Sequence, residues 1–454
     1  MFLFIQCALC LKLNETCTDE NRDYNCGDPL VCLNGTCQFC ATTDQCHKYD
    51  PHFYCRFNKK YQQNICNYEP LLHPWDTRLI IGMICVFIAG IFVSGAGIGG
   101  GGLFVPILIL VVEFPSEYSI PTSKALIFGG SLAVTIFNLR KRHPFYDRPL
   151  INYNVACCIE PISWLGTILG VIFNSVIPAW LLYIVQFILL SYTAYSTLMK
   201  GIKDQRKAKA LKENPDSMES NLISNTPGQY SGPAYSKKIL ILLGVIWAIF
   251  LVVAFLRGGD GADSIIGIEF CSTWYWVLTF APFPIYALIN WWMYTIARNY
   301  PIVGKDADIS AKTAFVLMMS GFIAGIAAGF LGIGGGMIKG PMMLKLDIEA
   351  EEMAATSTFM ILLTSSATSI QYIAEGVMPV AEFAIFSAVG FVSFLIGVIF
   401  LRWLVKKMGN RSLFLYFLAA VIAVSAVMMT VVGVKEIIFI KKNGGSMGFK
   451  SFCD

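Results

Sequence analysis

The sequence predicts an all-helical polytopic membrane protein. Its expected architecture is two inverted repeats, each a re-entrant glycine-broken helical hairpin plus three transmembrane helices, with two extra helices between them and a small disulfide-rich module at the N-terminus. Three observations carry that expectation. The 454 residues are 56% hydrophobic and 14% charged, with a mean hydropathy of +0.60, outside the soluble globular class. One apolar stretch occurs twice: residues 87–106 and 322–341 align without a gap at an offset of 235, with eleven of twenty positions identical. Ten of the fifteen cysteines precede residue 67, which assigns that end of the chain to an oxidising compartment.

From the N-terminus, residues 1–13 are short and apolar, like the core of a signal peptide. Residues 14–75 form a cysteine-rich extracellular or lumenal module. Its eight cysteines, Cys17, Cys26, Cys32, Cys37, Cys40, Cys46, Cys55 and Cys66, are an even set that reads as four disulfides of open connectivity. A zinc site on Cys37, Cys40, Cys46, His47 and His52 is the alternative, and the secretory setting favours disulfides. Sequons at Asn14 and Asn34 agree with glycosylation on that face.

Membrane repeat 1 covers residues 76–199 and repeat 2 residues 298–436. Each opens with an apolar run of 34 residues, Leu79–Val112 and Thr313–Leu346. One crossing needs about 20 residues and two need about 40, so a hairpin of two half-helices meeting near mid-membrane fits. Glycine permits the reversal because it lacks a Cβ. Pro106 and Pro341 are expected in the first turn of the second half-helix, where no amide donor is required. Crossing helices are expected near 123–139, 152–173, 179–198, 239–256, 273–296, 354–373, 380–401 and 413–434. The insertion, residues 238–297, supplies the two extra helices. An odd number of crossings per repeat turns the second copy upside down.

Positive charge agrees with the hairpins. With the cysteine-rich end outside, the basic loops Arg140–Arg148, Lys200–Lys238, Arg298–Lys312 and Arg402–Arg411 all face the cytosol. Residues 200–237, rich in Lys, Ser, Asn and Pro, read as a disordered cytosolic loop. The tail, residues 437–454, falls on the external side despite Lys441 and Lys442. The expected location is the plasma membrane or the endomembrane system.

An apolar helix that breaks at Gly97-Ile98-Gly99-Gly100-Gly101 and resumes through a proline, repeated at Gly332-Ile333-Gly334-Gly335-Gly336, resembles the TauE/SafE family of sulfite and organosulfur-anion exporters. The fragment Arg142-His143-Pro144, then Arg148-Pro149-Leu150-Ile151 and Glu160-Pro161, is similar to eukaryotic members, which carry acidic residues where this chain has Asn152 and Asn154. The resemblance covers roughly residues 78–435 and implies a sulfur-containing oxyanion as substrate.

At each break the resumed half-helix starts with free N–H groups carrying roughly half a positive charge. Gly97, Gly99, Gly100 and Gly101, with Gly332, Gly334, Gly335 and Gly336, are therefore candidate anion-binding residues, which inversion would bring together near the midplane. The competing explanation is helix packing through the Gly97-x3-Gly101 spacing; the double occurrence with proline at the same place favours the site. Thr122, Ser123, Thr356 and Ser357 are expected to open the helices after the hairpins, as caps or as donors to an oxyanion. Lys339 sits beside the second break, where a cation opposes the helix dipole unless an anion visits or the side chain snorkels to water. Glu160, about 10 Å into its helix, is the candidate for a coupling proton.

A formal charge of +4 does not point to nucleic acid. No Walker lysine follows either glycine run, no HExxH or GxSxG occurs, and all four histidines lie outside the expected spans. An enzyme, an ATP-driven pump, a cofactor and a metal are therefore not expected. The reading is a secondary transporter or facilitator for a small anion, by alternating access at the paired breaks. The alternative is a cysteine-rich receptor or adhesion module on a non-transporting scaffold. Expected partners are the anion, the lipid bilayer, an external ligand of the module and a second copy of the chain.

Overall fold

The computed structural model describes residues 30–47, 53–58, 63–68, 77–95, 97, 99–143, 148–213, 237–259, 264–298, 311–345, 348–374, 377–408, 411–443, 449 and 453. The expected signal segment, Cys17, Cys26 and Asn14 lie outside the described residues, as do 214–236.

Two β-hairpins and a short helix make up the described part of the cysteine-rich module. Strands β1 (Val31–Leu33) and β2 (Thr36–Gln38) pair antiparallel around Asn34 and Gly35, both at positive φ. Asn-Gly is the pair that such a two-residue turn favours, and it leaves the sequon's Asn34 exposed at the tip. Helix α1 (Thr43–His47) follows, then β3 (Phe53–Asn58) against β4 (Gln63–Tyr68). Disulfides Cys40–Cys55 and Cys46–Cys66 staple these elements, and Cys32 and Cys37 are disulfide-bonded too. The sulfurs of Cys40, Cys46 and Cys66 lie within 4.8 Å of one another. All three are oxidised, so they offer zinc no thiolate.

The rest is helical. Helices α2 (Thr77–Val93) and α3 (Gly101–Ile107) form the first hairpin, α3 widening into a π-helical turn at Leu108–Val112. Helices α4 (Ser116–Asn138), α5 (Tyr153–Val176) and α6 (Ala179–Glu213) follow. The insertion holds α7 (Lys237–Arg257), α8 (Thr273–Phe280) and α9 (Pro282–Arg298). The second repeat comprises α10 (Ala311–Leu331), α11 (Gly336–Lys345), α12 (Ala350–Ala374), α13 (Val380–Met408) and α14 (Arg411–Asn443). Among the described residues seven helices, α4 to α7, α10, α12 and α13, are long and apolar enough to cross a bilayer.

The first hairpin doubles back. Arg78 pairs with Glu113, and a Cβ on Gly82 would meet Val112 Cγ2 at 2.1 Å, so both arms end at one level. Elsewhere the structure corrects the sequence reading. Helix α10 has 21 residues, about 31 Å at 1.5 Å per residue, a full crossing in length rather than half of one. Pro106 and Pro341 stand at the sixth residue of their helices, because each helix restarts directly at the glycine run. The expected helix 273–296 is two helices, interrupted at Ala281 ahead of Pro282 and Pro284. Residues 200–213, expected to be disordered, continue α6, since Lys, Ala, Gln and Arg are strong helix formers. A disulfide absent from the sequence reading, Cys271–Cys453, joins the tail to the loop before α8.

Glycines set how closely the helices approach. Gly321, Gly325 and Gly329 of α10 face Gly166 and Gly170 of α5; a Cβ at Gly325 would fall 2.0 Å from the Ser163 carbonyl oxygen and one at Gly166 2.3 Å from that of Phe322. Gly129 of α4 and Gly390 of α13 meet backbone equally closely, at 1.8 Å and 2.0 Å. Lipid gives helices no hydrophobic reason to associate, so small residues that admit backbone contact do this work. The contacts also map onto themselves when the repeats are exchanged. Helix α5 packs on α10 as α13 does on α2, α4 on α13 as α12 on α5, and α3 on α14 as α11 on α6. Outward faces keep exposed apolar residues such as Ile80, Ile84 and Ile88 on α2, the surface a membrane protein turns to lipid.

Candidate functional site

Helices α2 and α10 stop where the chain enters the left-handed region that glycine tolerates best. Gly97, Gly99 and Gly100 have φ of 66°, 85° and 78°; Gly332, Gly334 and Gly335, each 235 positions later, have 71°, 79° and 69°. The two loops cross. A Cβ on Gly99 would lie 3.5 Å from Gly334 Cα, one on Gly101 2.1 Å from the Gly332 carbonyl oxygen, and one on Gly336 2.7 Å from the Gly97 carbonyl oxygen. Ser357 donates to the Gly97 carbonyl, and Ser123 shares its hydroxyl proton between the Ile120 carbonyl of its own helix at 2.7 Å and the Gly332 carbonyl at 3.2 Å. The structure therefore brings the two glycine runs and both serines together. Helices α3 and α11 start at this crossing, each with first-turn amides that no helical carbonyl meets.

Contrary to the expectation from sequence, the hydroxyl residues do not open their helices. Helix α4 starts at Ser116 and α12 at Ala350, so all four lie inside a helix. Thr122 donates to the Tyr118 carbonyl at 2.8 Å within its own helix, and Thr356 accepts from the Asn152 amide at 2.9 Å. These two threonines thus serve their helices and the α5 terminus, while the serines serve the crossing.

Three fully buried ionisable side chains accompany the loops: Lys124 on α4, Glu160 on α5 and Lys339 on α11. Lys339 does not snorkel. Its Nζ pairs with Glu160 Oε1 and lies 2.9 Å from Thr364 Oγ1, which is itself 3.0 Å from Glu160 Oε2. The charge of Lys339 is thus met inside the protein. Lys124, by contrast, has no hydrogen-bond partner for its Nζ among the described residues. On the same face of α4, Ile120 and Ile127 lie 3.2 Å and 3.6 Å from Cβ positions built on Gly332 and Gly334, so this face looks onto the second loop. Lys124 is also near enough to Lys339 for their charges to repel. Sequence reasoning missed Lys124 and Thr364. It also missed Gln186 of α6, fully buried with neither amide atom paired among the described residues and one turn from Leu190, which meets Gly102.

A second polar cluster holds the start of α12. Arg148 Nη2 and Asn152 Nδ2 each donate to Glu352 at 3.0 Å, with His143 Nε2 3.5 Å away. Where the resemblance has an acid at 152, this chain presents an amide that holds a carboxylate of the other repeat.

A profile described as sulfite exporter TauE/SafE matches residues 82–429, most of the chain and both glycine loops. The chain belongs to the TauE/SafE family. It is 28% identical over 439 residues to sulfite exporter TauE/SafE family protein 3 of Arabidopsis thaliana, covering 91% of each chain. Family protein 5 of the same plant is 28% identical over 402 residues, 83% of this chain and 87% of that one. "Probable membrane transporter protein YunE" of Bacillus subtilis (strain 168) is 26% identical over 134 residues, 30% of this chain and 46% of that one. No solved structure matches.

This TauE/SafE protein is a membrane transporter of its family's type. Lys124, Glu160, Lys339 and Glu352 all fall within the residues matched to the family, and the described disulfide module precedes them.

Proposed function

We propose that this TauE/SafE protein is a secondary transporter or facilitator that moves a small anion, sulfite or an organosulfur or organic acid anion, by alternating access between inverted repeats. The observation that carries the reading is the reciprocal crossing of the glycine loops. Serines of the opposite repeat occupy loop carbonyls, and the electropositive starts of α3 and α11 converge there, which suits an anion. Helix contacts that survive exchange of the repeats support two equivalent packings of one interface, the requirement of alternating access. The family's name supports sulfite.

A cytosol-negative potential favours anion exit by about 2.3 kcal/mol per charge per 100 mV. Export then needs no fuel, whereas concentrative uptake requires coupling, with Glu160 as the proton carrier. The reading puts the disulfide module, Asn34 and the Cys271–Cys453 link on the external face, because disulfides persist in oxidising compartments.

Efflux from proteoliposomes loaded with sulfite, sulfate, taurine or chloride tests this. Potential-sensitive efflux of sulfite is the expected result. No flux of any of the four, together with ligand binding to the disulfide module of the intact protein, would favour a receptor on a non-transporting scaffold.

A further inference from the structure

We propose that Lys124 holds the charge of the transported anion, and that the single surplus positive charge of the Lys124, Lys339 and Glu160 cluster selects anions carrying one negative charge. The proposal rests on the anion-transport reading and specifies the substrate class of that site.

Glu160 and Lys339 form a buried pair and cancel. Lys124 remains, with no exposure and an ammonium group whose three donors meet no acceptor among the described residues. An unmatched ion inside a membrane protein carries a desolvation penalty of several kcal/mol, and such residues mark substrate paths more often than they serve structure. Its neighbours on the same face of α4, Ile120 and Ile127, lie against the second glycine loop, so Lys124 shares the helix face that meets the crossing. Lys339 lies close by on α11 with its charge cancelled by Glu160, so it does not take the anion's place.

Charge counting then separates substrates. An oxyanion with one charge, such as hydrogen sulfite or an alkanesulfonate, brings the cluster to neutrality and accepts the unused Lys124 donors. An anion with two charges leaves one uncancelled negative charge in the same dry surroundings, a penalty of the same kind with opposite sign.

The test uses purified full-length protein, with methanesulfonate as the singly charged probe and sulfate as the doubly charged one. Thermal unfolding in detergent reads binding, and efflux from proteoliposomes reads transport. Methanesulfonate is expected to raise the wild-type Tm, and sulfate to need about tenfold higher concentration or more for the same rise. Lys124→Met should lose the methanesulfonate effect and saturable efflux while keeping an unliganded Tm no lower than wild type, because it removes an unmatched charge; a structural lysine would lower it. Lys124→Arg should retain the effect. Glu160→Gln raises the surplus to two and should shift the preference toward sulfate. Wild-type methanesulfonate dependence in Lys124→Met, or an unshifted preference in Glu160→Gln, overturns the inference and leaves the transport reading standing. No Tm effect and no efflux of any anion in the wild type would end both.

Discussion

Ser357 donates its hydroxyl to the carbonyl oxygen of Gly97, 260 residues earlier in the chain. Ser123 reaches the Gly332 carbonyl across 209 residues, sharing its proton with the Ile120 carbonyl. Alanine at either position leaves a buried loop carbonyl without its side-chain donor, a loss of about 1 kcal/mol each. Purified Ser123→Ala and Ser357→Ala should each unfold at slightly lower temperature than wild type, and the double variant lower still. An unchanged Tm in the double variant would show that the carbonyls find other donors.

The left-handed glycines give a sharper test. At φ of 78° and 69°, Gly100→Leu and Gly335→Leu each impose about 1–2 kcal/mol of backbone strain, and a Cβ on Gly100 would stand 2.7 Å from Val93 Cγ2. Both variants should insert into the membrane and lose efflux, measured per reconstituted protein. Wild-type efflux from both would reduce the breaks to packing features.

Helix contact makes a separate prediction. Gly325→Val drives a side chain into the Ser163 backbone, whereas a Cβ on Gly244 meets nothing within 4 Å. The first should sharply reduce the amount of folded protein and the second should not, as read by size-exclusion chromatography of detergent extracts. Equal yields would refute the close packing of α5 on α10.

Sidedness can be read from thiols and glycans. In Cys271→Ser the freed Cys453 should react with a membrane-impermeant maleimide added outside, and Asn34 should carry glycan while the sequon Asn410-Arg411-Ser412, in a loop expected in the cytosol, does not. A cysteine introduced at Arg142 should label only from the cytosolic side; external labelling would break the hairpin topology.

What the sequence made legible follows from how local the physics is. The left-handed turns were readable because glycine almost alone takes them, and the duplication made the same run stand out twice. Lys124 was overlooked because the expected crossing helix 123–139, preceded by Glu113, Pro115, Glu117 and Pro121, put it in the first turn, where a lysine meets water. The chain instead starts α4 at Ser116 and carries Pro121 inside it, placing Lys124 two turns deep. The Glu160–Lys339 pair spans 179 residues and Cys271–Cys453 spans 182, distances over which composition and spacing say nothing about contact. Asn152 shows the same limit: alone it looks like a lost carboxylate, and only α12 reveals Glu352 as its counterpart.

Because each glycine loop has a carbonyl satisfied by a serine of the opposite repeat, neither half of the chain is self-sufficient. A first half expressed alone would bury the Gly97 carbonyl without the Ser357 hydroxyl, and would expose the face of α5 that Gly321, Gly325 and Gly329 cover. The two halves are obligate mates, and what joins them is the fit of their surfaces more than the peptide between them. Cut between Glu213 and Lys237 and produced together, they should find each other in the membrane and restore efflux; produced separately, each should be cleared.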